Sequence, residues 1–132
     1  MLRKPSVSPR SQAAQGRSAL ALAADRFSNL CREGILPKKR VGEAMDPADV
    51  SLAASFLAQC RPTKTPSVHS ADLRRVISRW SGRDVSAGSV IAAAVASGFD
   101  VAGWYGIMEF YPNALIGVNS RDCAKLISST MR

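Results

Sequence analysis

One histidine, three cysteines and a scatter of carboxylates are the side chains best suited to chemistry, and their spacing limits what they can do. His69 stands before Ser70, with Ser67 two residues upstream and Asp72 three residues downstream. A Ser-His-Asp relay needs its groups to converge, and residues this close in sequence rarely reach that geometry. His69 therefore reads as a side chain at the start of a helix. Cys31, Cys60 and Cys123 contain no C-x-x-C pair, and an odd count builds no disulfide framework. One histidine also leaves no Cys/His zinc set. No base stands beside a cysteine in the sequence to activate it as a nucleophile. Each cysteine falls in or near an apolar helical run, where a thiol is a small buried hydrophobe, and a reducing compartment is the natural setting. Asp46, Asp49, Asp72, Asp84 and Asp122 fall at helix starts, where capping and the helix dipole account for about 0.3–1 kcal/mol each. Neither G-x-x-x-x-G-K-[ST] nor G-x-G-x-x-G occurs. The expectation is a protein that is not an enzyme and holds no cofactor or metal.

The basic residues offer a different chemistry. Formal net charge is +8 over 132 residues. Residues 1–40 carry nine Lys/Arg against Asp25 and Glu33, a net of +7, so the rest of the chain is close to balanced. Such asymmetry points to polyanion binding, with a merely solvated basic tail as the alternative. In RPTKTPSVHSADLRRVISRW (Arg61–Trp80), Arg74, Arg75 and Arg79 fall on the wet side of an expected helix. Arg61 and Lys64 sit in the connector before it. Five such contacts to phosphate would give non-specific binding that weakens steeply with salt. The competing reading is an ordinary solvated face. A second candidate surface is FDVAGWYGIMEFY, where Trp104, Tyr105 and Tyr111 can stack on bases or dock a protein partner or a second copy of the chain. Covering one end of a helix is the plainer role for those rings.

The elements that must position these groups follow from local signals. The hydrophobic fraction is 46%, but aromatics are only 6%, which suits a core of Ala, Val, Leu and Ile between close helices. No apolar run approaches the roughly 18–20 residues that span a bilayer. Residues 1–45 read as a basic, partly disordered arm with one helix over about 12–33, where Leu20, Ala23, Phe27, Leu30 and Cys31 form one stripe. Residues 46–132 read as a single globular domain. Asp46 caps a helix with Pro47 at its first position. Ser70 caps the next, which Ser81-Gly82 ends. Ser86 caps an alanine-rich helix that is apolar almost all round and therefore central, and Gly98 terminates it. Phe99–Val101, Ile107–Tyr111 and Leu115–Val118 read as short strands around the Pro112-Asn113 turn signal. Ser120 caps a last short helix. The fold class is α-dominated with a short β-hairpin or small sheet near the C-terminus, in the outline of a winged helix or helix-turn-helix. The would-be recognition helix, however, carries Ala87, Gly88, Ser89, Ala92, Ala93 and Ser97, which cannot reach base edges. The first 24 residues also have the composition of a transit peptide, and Met45 opens a clean helix start of its own.

The stretches RPTKTPSVHSADLRRVISRW, VSAGSVIAAAVASGFDV and PNALIGV resemble a group of small proteins of proteobacterial phages and integrating mobile elements that has no established activity. The likeness covers about Val50 to Val118. It departs at Ala87-Gly88, where the group commonly has Asn-Gly. The resemblance implies a bacterial mobile-element origin, which argues against the transit-peptide reading and for the cytoplasm. The function expected on these grounds is a small accessory protein that contacts DNA or RNA through Arg61, Lys64, Arg74, Arg75 and Arg79, with no membrane partner. The alternative is a protein-interaction module or homodimer built on Trp104–Tyr111.

Overall fold

A computed structural model of the chain describes residues 9–27, 30–35, 43–103 and 113–130. Helix α1 (Pro9–Arg26) leads into a tight antiparallel hairpin, β1 (Leu30–Cys31) and β2 (Gly34–Ile35). Helix α2 (Pro47–Leu57) follows, then β3 (Val68–His69), which runs straight into α3 (Ser70–Ser81). Helix α4 (Ala87–Ala96), β4 (Val101–Gly103), β5 (Ala114–Ile116) and α5 (Ser120–Thr130) complete the order. Strand β5 lies between β3 and β4 and pairs antiparallel with both, Ile116 opposite Val68 on one side and Val101 on the other. The helix-dominated class with a small C-terminal sheet is as expected.

Helix α4 is the centre. Gly88 to Ala94 are all buried, and α1, α2 and α3 pack around them. Small side chains let the neighbours come close. A Cβ on Gly88 would stand 1.7 Å from the Cys31 carbonyl oxygen, and one on Gly16 would stand 1.8 Å from that of Pro47. The hairpin backbone thus sits on the first turn of α4, where Gly88 N–H donates to the Arg32 carbonyl at 3.0 Å. The larger core side chains lie between α2 and α3, where Phe56 meets Trp80 edge to face at 5.3 Å.

The helix of the basic segment differs from expectation in two ways. It ends at Arg26, not near residue 33, because Leu30 and Cys31 spend their backbone on the hairpin. Those two residues prolong a helical stripe just as well, so spacing alone pointed the wrong way. Nor is the helix a loose arm: Ala19 and Ala23 belong to the same core as α2 and α4. Residues 1–8, 28–29 and 36–42 of that arm lie outside the described residues.

Helix starts show a second pattern. Asp46 caps α2 as expected, its carboxylate accepting from Ala48 N–H at 2.9 Å, and Ser86 caps α4 by accepting from Ser89 N–H. Ser70 and Ser120 are instead the first helical residues. The caps are the residues before them. His69 Nδ1 accepts from Ala71 N–H at 3.3 Å, and Asn119 Oδ1 accepts from Asp122 N–H at 3.1 Å. Gly82 (φ 71°) and Gly98 (φ 85°) close α3 and α4 in the left-handed conformation. The strands expected at Phe99–Val101 and Leu115–Val118 are shifted to Val101–Gly103 and Ala114–Ile116, and that at Ile107–Tyr111 lies outside the described residues.

Candidate functional site

The expected interface draws on the guanidinium groups of the connector and α3, and in the structure three of them are ion-paired. Arg61 is held by Asp122 at the first turn of α5: Nε to Oδ2 at 3.0 Å, Nη2 to Oδ1 at 3.1 Å, and the Arg61 backbone N–H to Oδ2 at 2.9 Å. This fork keeps the Asp122 carboxyl below the usual carboxylate range and raises the guanidinium, in both cases chiefly through their side-chain hydrogen bond. Arg74 bonds Asp84 at 2.8 Å, and Arg75 bonds Asp72 one helical turn back at 3.1 Å. Arg83, just past α3, spans Asp46 at 2.8 Å and Asp49 at 2.7 Å and so ties the α3–α4 turn to the start of α2.

The clefts that these residues line also differ. Arg74 lines a cleft of about 370 Å³ together with Arg32, Glu33, Glu43, Asp84 and Ser86, a lining with more carboxylates than guanidiniums. Arg75 and Arg79 line a different groove of about 310 Å³ against Val76 and Ile127. Lys64 is exposed on the connector. Arg61, Arg74 and Arg75 are thus engaged by aspartates, and Arg74 borders a different cleft from Arg75 and Arg79. The physical reason lies in the helix-start aspartates. Asp46, Asp72 and Asp122 stand at helix starts and Asp84 just ahead of one, and each has a long arginine from another turn or element within reach. Exposed pairs of this kind contribute about 0–1 kcal/mol, so they do not lock the arginines, but they cancel the local field that would attract phosphate.

Trp104, Tyr105 and Tyr111, the residues of the second candidate surface, lie outside the described residues. Their segment joins β4 to β5, and its ends are held side by side by the Gly103–Ala114 pairing. Helix α4, buried from Gly88 to Ala94, has no face of long polar side chains to offer a groove.

Several other polar and titratable side chains among the described residues are tied into the fold. His69 is a helix cap, and the Ser70 hydroxyl donates to Asn113 Oδ1 at 2.7 Å and accepts from Ala114 N–H at 3.0 Å, so the two do not face each other as nucleophile and base. Asp49 is nearly buried; its carboxyl is pushed up by burial, against the opposing charge of Arg83. Its Oδ1 lies in ion-pair contact with Arg83 Nε but off the hydrogen-bond line. The Cys31 thiol donates to Glu33 at 2.9 Å, and its pKa is raised by burial first and by Glu33 next. Cys60 and Cys123, sixty-three residues apart, are both buried beside the Arg61–Asp122 fork, a juxtaposition that the sequence spacing hides. Among the described residues no group of three or more His, Cys, Asp or Glu could hold a metal ion, and no helix is long and apolar enough to cross a membrane. Comparison of the chain with protein-family models, curated proteins and solved structures finds no match.

Proposed function

We propose that this is a small non-enzymatic protein, an accessory of a mobile element, that contacts nucleic acid through the positive charge of its first forty residues and not through α3. The observation that carries the reading is a contrast. Arg61, Arg74, Arg75 and Arg83 are each matched by an aspartate, and residues 41–132 are close to electrical balance. In the sequence, residues 1–40 carry a net +7, including the consecutive Lys38, Lys39 and Arg40, which lie outside the described residues. Contacts of this kind release counterions from the phosphate backbone, so affinity falls steeply with salt and depends little on sequence.

The test is anisotropy titration of random duplex DNA and of single-stranded RNA across a salt series. Replacing Lys38, Lys39 and Arg40 by glutamine is expected to lower affinity at least about tenfold and to reduce the salt slope by about 3. Replacing Arg74, Arg75 and Arg79 by glutamine is expected to change it less than about threefold. The reverse ranking would return the contacts to α3. Salt-insensitive or absent binding by the unaltered protein would leave the second reading, an interaction module or homodimer using Trp104, Tyr105 and Tyr111. That reading draws support from the paired strand ends that present the segment, and it requires a concentration-dependent dimer that Trp104→Ala breaks.

A further inference from the structure

The end of α2 and the beginning of α5 are fastened along several consecutive residues. Arg61 grips Asp122 through both its side chain and its backbone N–H, Asn119 N–H donates to the Arg61 carbonyl at 2.9 Å, and Pro62 bridges Val118. Cys60 immediately precedes Arg61, and Cys123 immediately follows Asp122. The clamp therefore brings two thiols that are distant in sequence close together, both buried and both free. A cleft of about 320 Å³, lined by Leu57, Cys60, Pro62, Gly98 and Phe99, leads a small molecule to Cys60.

We propose that Cys60 and Cys123 are a modification site for hydrogen peroxide, which oxidises the pair to an intramolecular disulfide stapling the end of α2 to the first turn of α5. Of the two sulfurs, Cys60 is the one that lines the cleft, and its thiol donates to the Phe56 carbonyl at 3.6 Å. Cys60 attacks one peroxide oxygen; the O–O bond breaks, and the departing hydroxide takes the proton that Cys60 gave up and leaves as water. Cys60 is then a sulfenic acid. The Cys123 sulfur attacks the Cys60 sulfur, the S–O bond breaks, and hydroxide leaves with the Cys123 proton as a second water. Two thiols lose two electrons in total, and one peroxide gains them. Cys31 takes no part. Its thiol is engaged with Glu33 on the hairpin, and no second cysteine accompanies it there.

The experiment uses the full chain. It is treated with hydrogen peroxide, alkylated under denaturing conditions, digested with trypsin and mapped by mass spectrometry with and without reductant. The expected product is a reductant-sensitive link between the peptide ending at Lys64 and Asp122–Lys125, lighter than the sum by two hydrogens, with Cys31 alkylated. The oxidised monomer should melt at least about 5 °C higher than the reduced one. Cys123→Ser should abolish the link after the same treatment. Separate over-oxidation of Cys60 and Cys123 without a link, pairing of either with Cys31, or a link found only between two chains would each overturn the proposal.

Discussion

Ser70 and His69 divide the work of one helix start, and the division can be measured. The Ser70 hydroxyl is fully buried and answers two groups of the C-terminal sheet, Asn113 Oδ1 and Ala114 N–H. Removing it strands a buried donor and a buried acceptor, at a cost of about 1–3 kcal/mol. The cap from His69 is long at 3.3 Å and only half buried, so its loss costs under about 1 kcal/mol. Urea unfolding followed by fluorescence should therefore rank Ser70→Ala as the more damaging change, by about 1 kcal/mol. Equal effects would show that the hydroxyl bridge is not a support of the sheet. At this scale the sequence was only half legible. A serine before an apolar run signals a cap by type, yet its hydroxyl went to partners more than forty residues away. The same holds for Asp122. Its place in a first turn was readable, but its grip on Arg61 was not, because local spacing says nothing of which arginine a later fold brings near.

Among the elements, those bounded by strong local punctuation were legible. Asp46-Pro47 opens α2, Gly82 closes α3, and Ser86 and Gly98 bracket α4, each by a mechanism that works within one turn of chain. The two-residue strands were not. β1, β2 and β3 exist because partners supply their hydrogen bonds, and two residues carry no periodicity of their own. Gly88 records this contact between elements. Glycine within a helix usually costs about 0.5–1 kcal/mol relative to alanine, so Gly88→Ala should stabilise if α4 stood alone. Here the added methyl would meet the Cys31 carbonyl at 1.7 Å, rigid backbone on both sides. The expected result is a loss of about 3 kcal/mol or more, read from thermal or urea melts. Gly98→Ala is the control. Nothing lies within 4 Å of its added methyl, and only the left-handed backbone objects, at about 1–2 kcal/mol. Gly88→Ala proving as mild as Gly98→Ala would mean that the hairpin does not rest on α4.

For the molecule as a whole, composition separates a basic first third from a balanced remainder, and that division of charge does not coincide with a division of packing. Helix α1 carries part of the excess charge on its outer face, where Arg17 is exposed, while Ala19 and Ala23 fill the core beside Val50, Ala53 and the alanines of α4. Arg26 at its end donates to the Val101 carbonyl of β4 at 2.6 Å, and Gln15 accepts from Ser51 of α2. A chain cut to begin at Met45, whose clean helix start suggests an autonomous unit, would lose α1 and the β1–β2 hairpin together. It would open the apolar faces of α2 and α4 to water and leave the first turn of α4 without the Arg32 carbonyl that receives Gly88 N–H. Native stability is about 5–15 kcal/mol, small beside the burial those contacts represent. The cut chain should therefore show no cooperative thermal transition, bind a hydrophobic dye and give poorly dispersed amide resonances. A sharp transition within about 5 °C of the full chain would make α1 a dispensable cover rather than one wall of the core. The same cut tests the proposed function from the other side, because it also removes the Lys38, Lys39 and Arg40 cluster. Only the glutamine variants in the intact chain separate loss of charge from loss of fold.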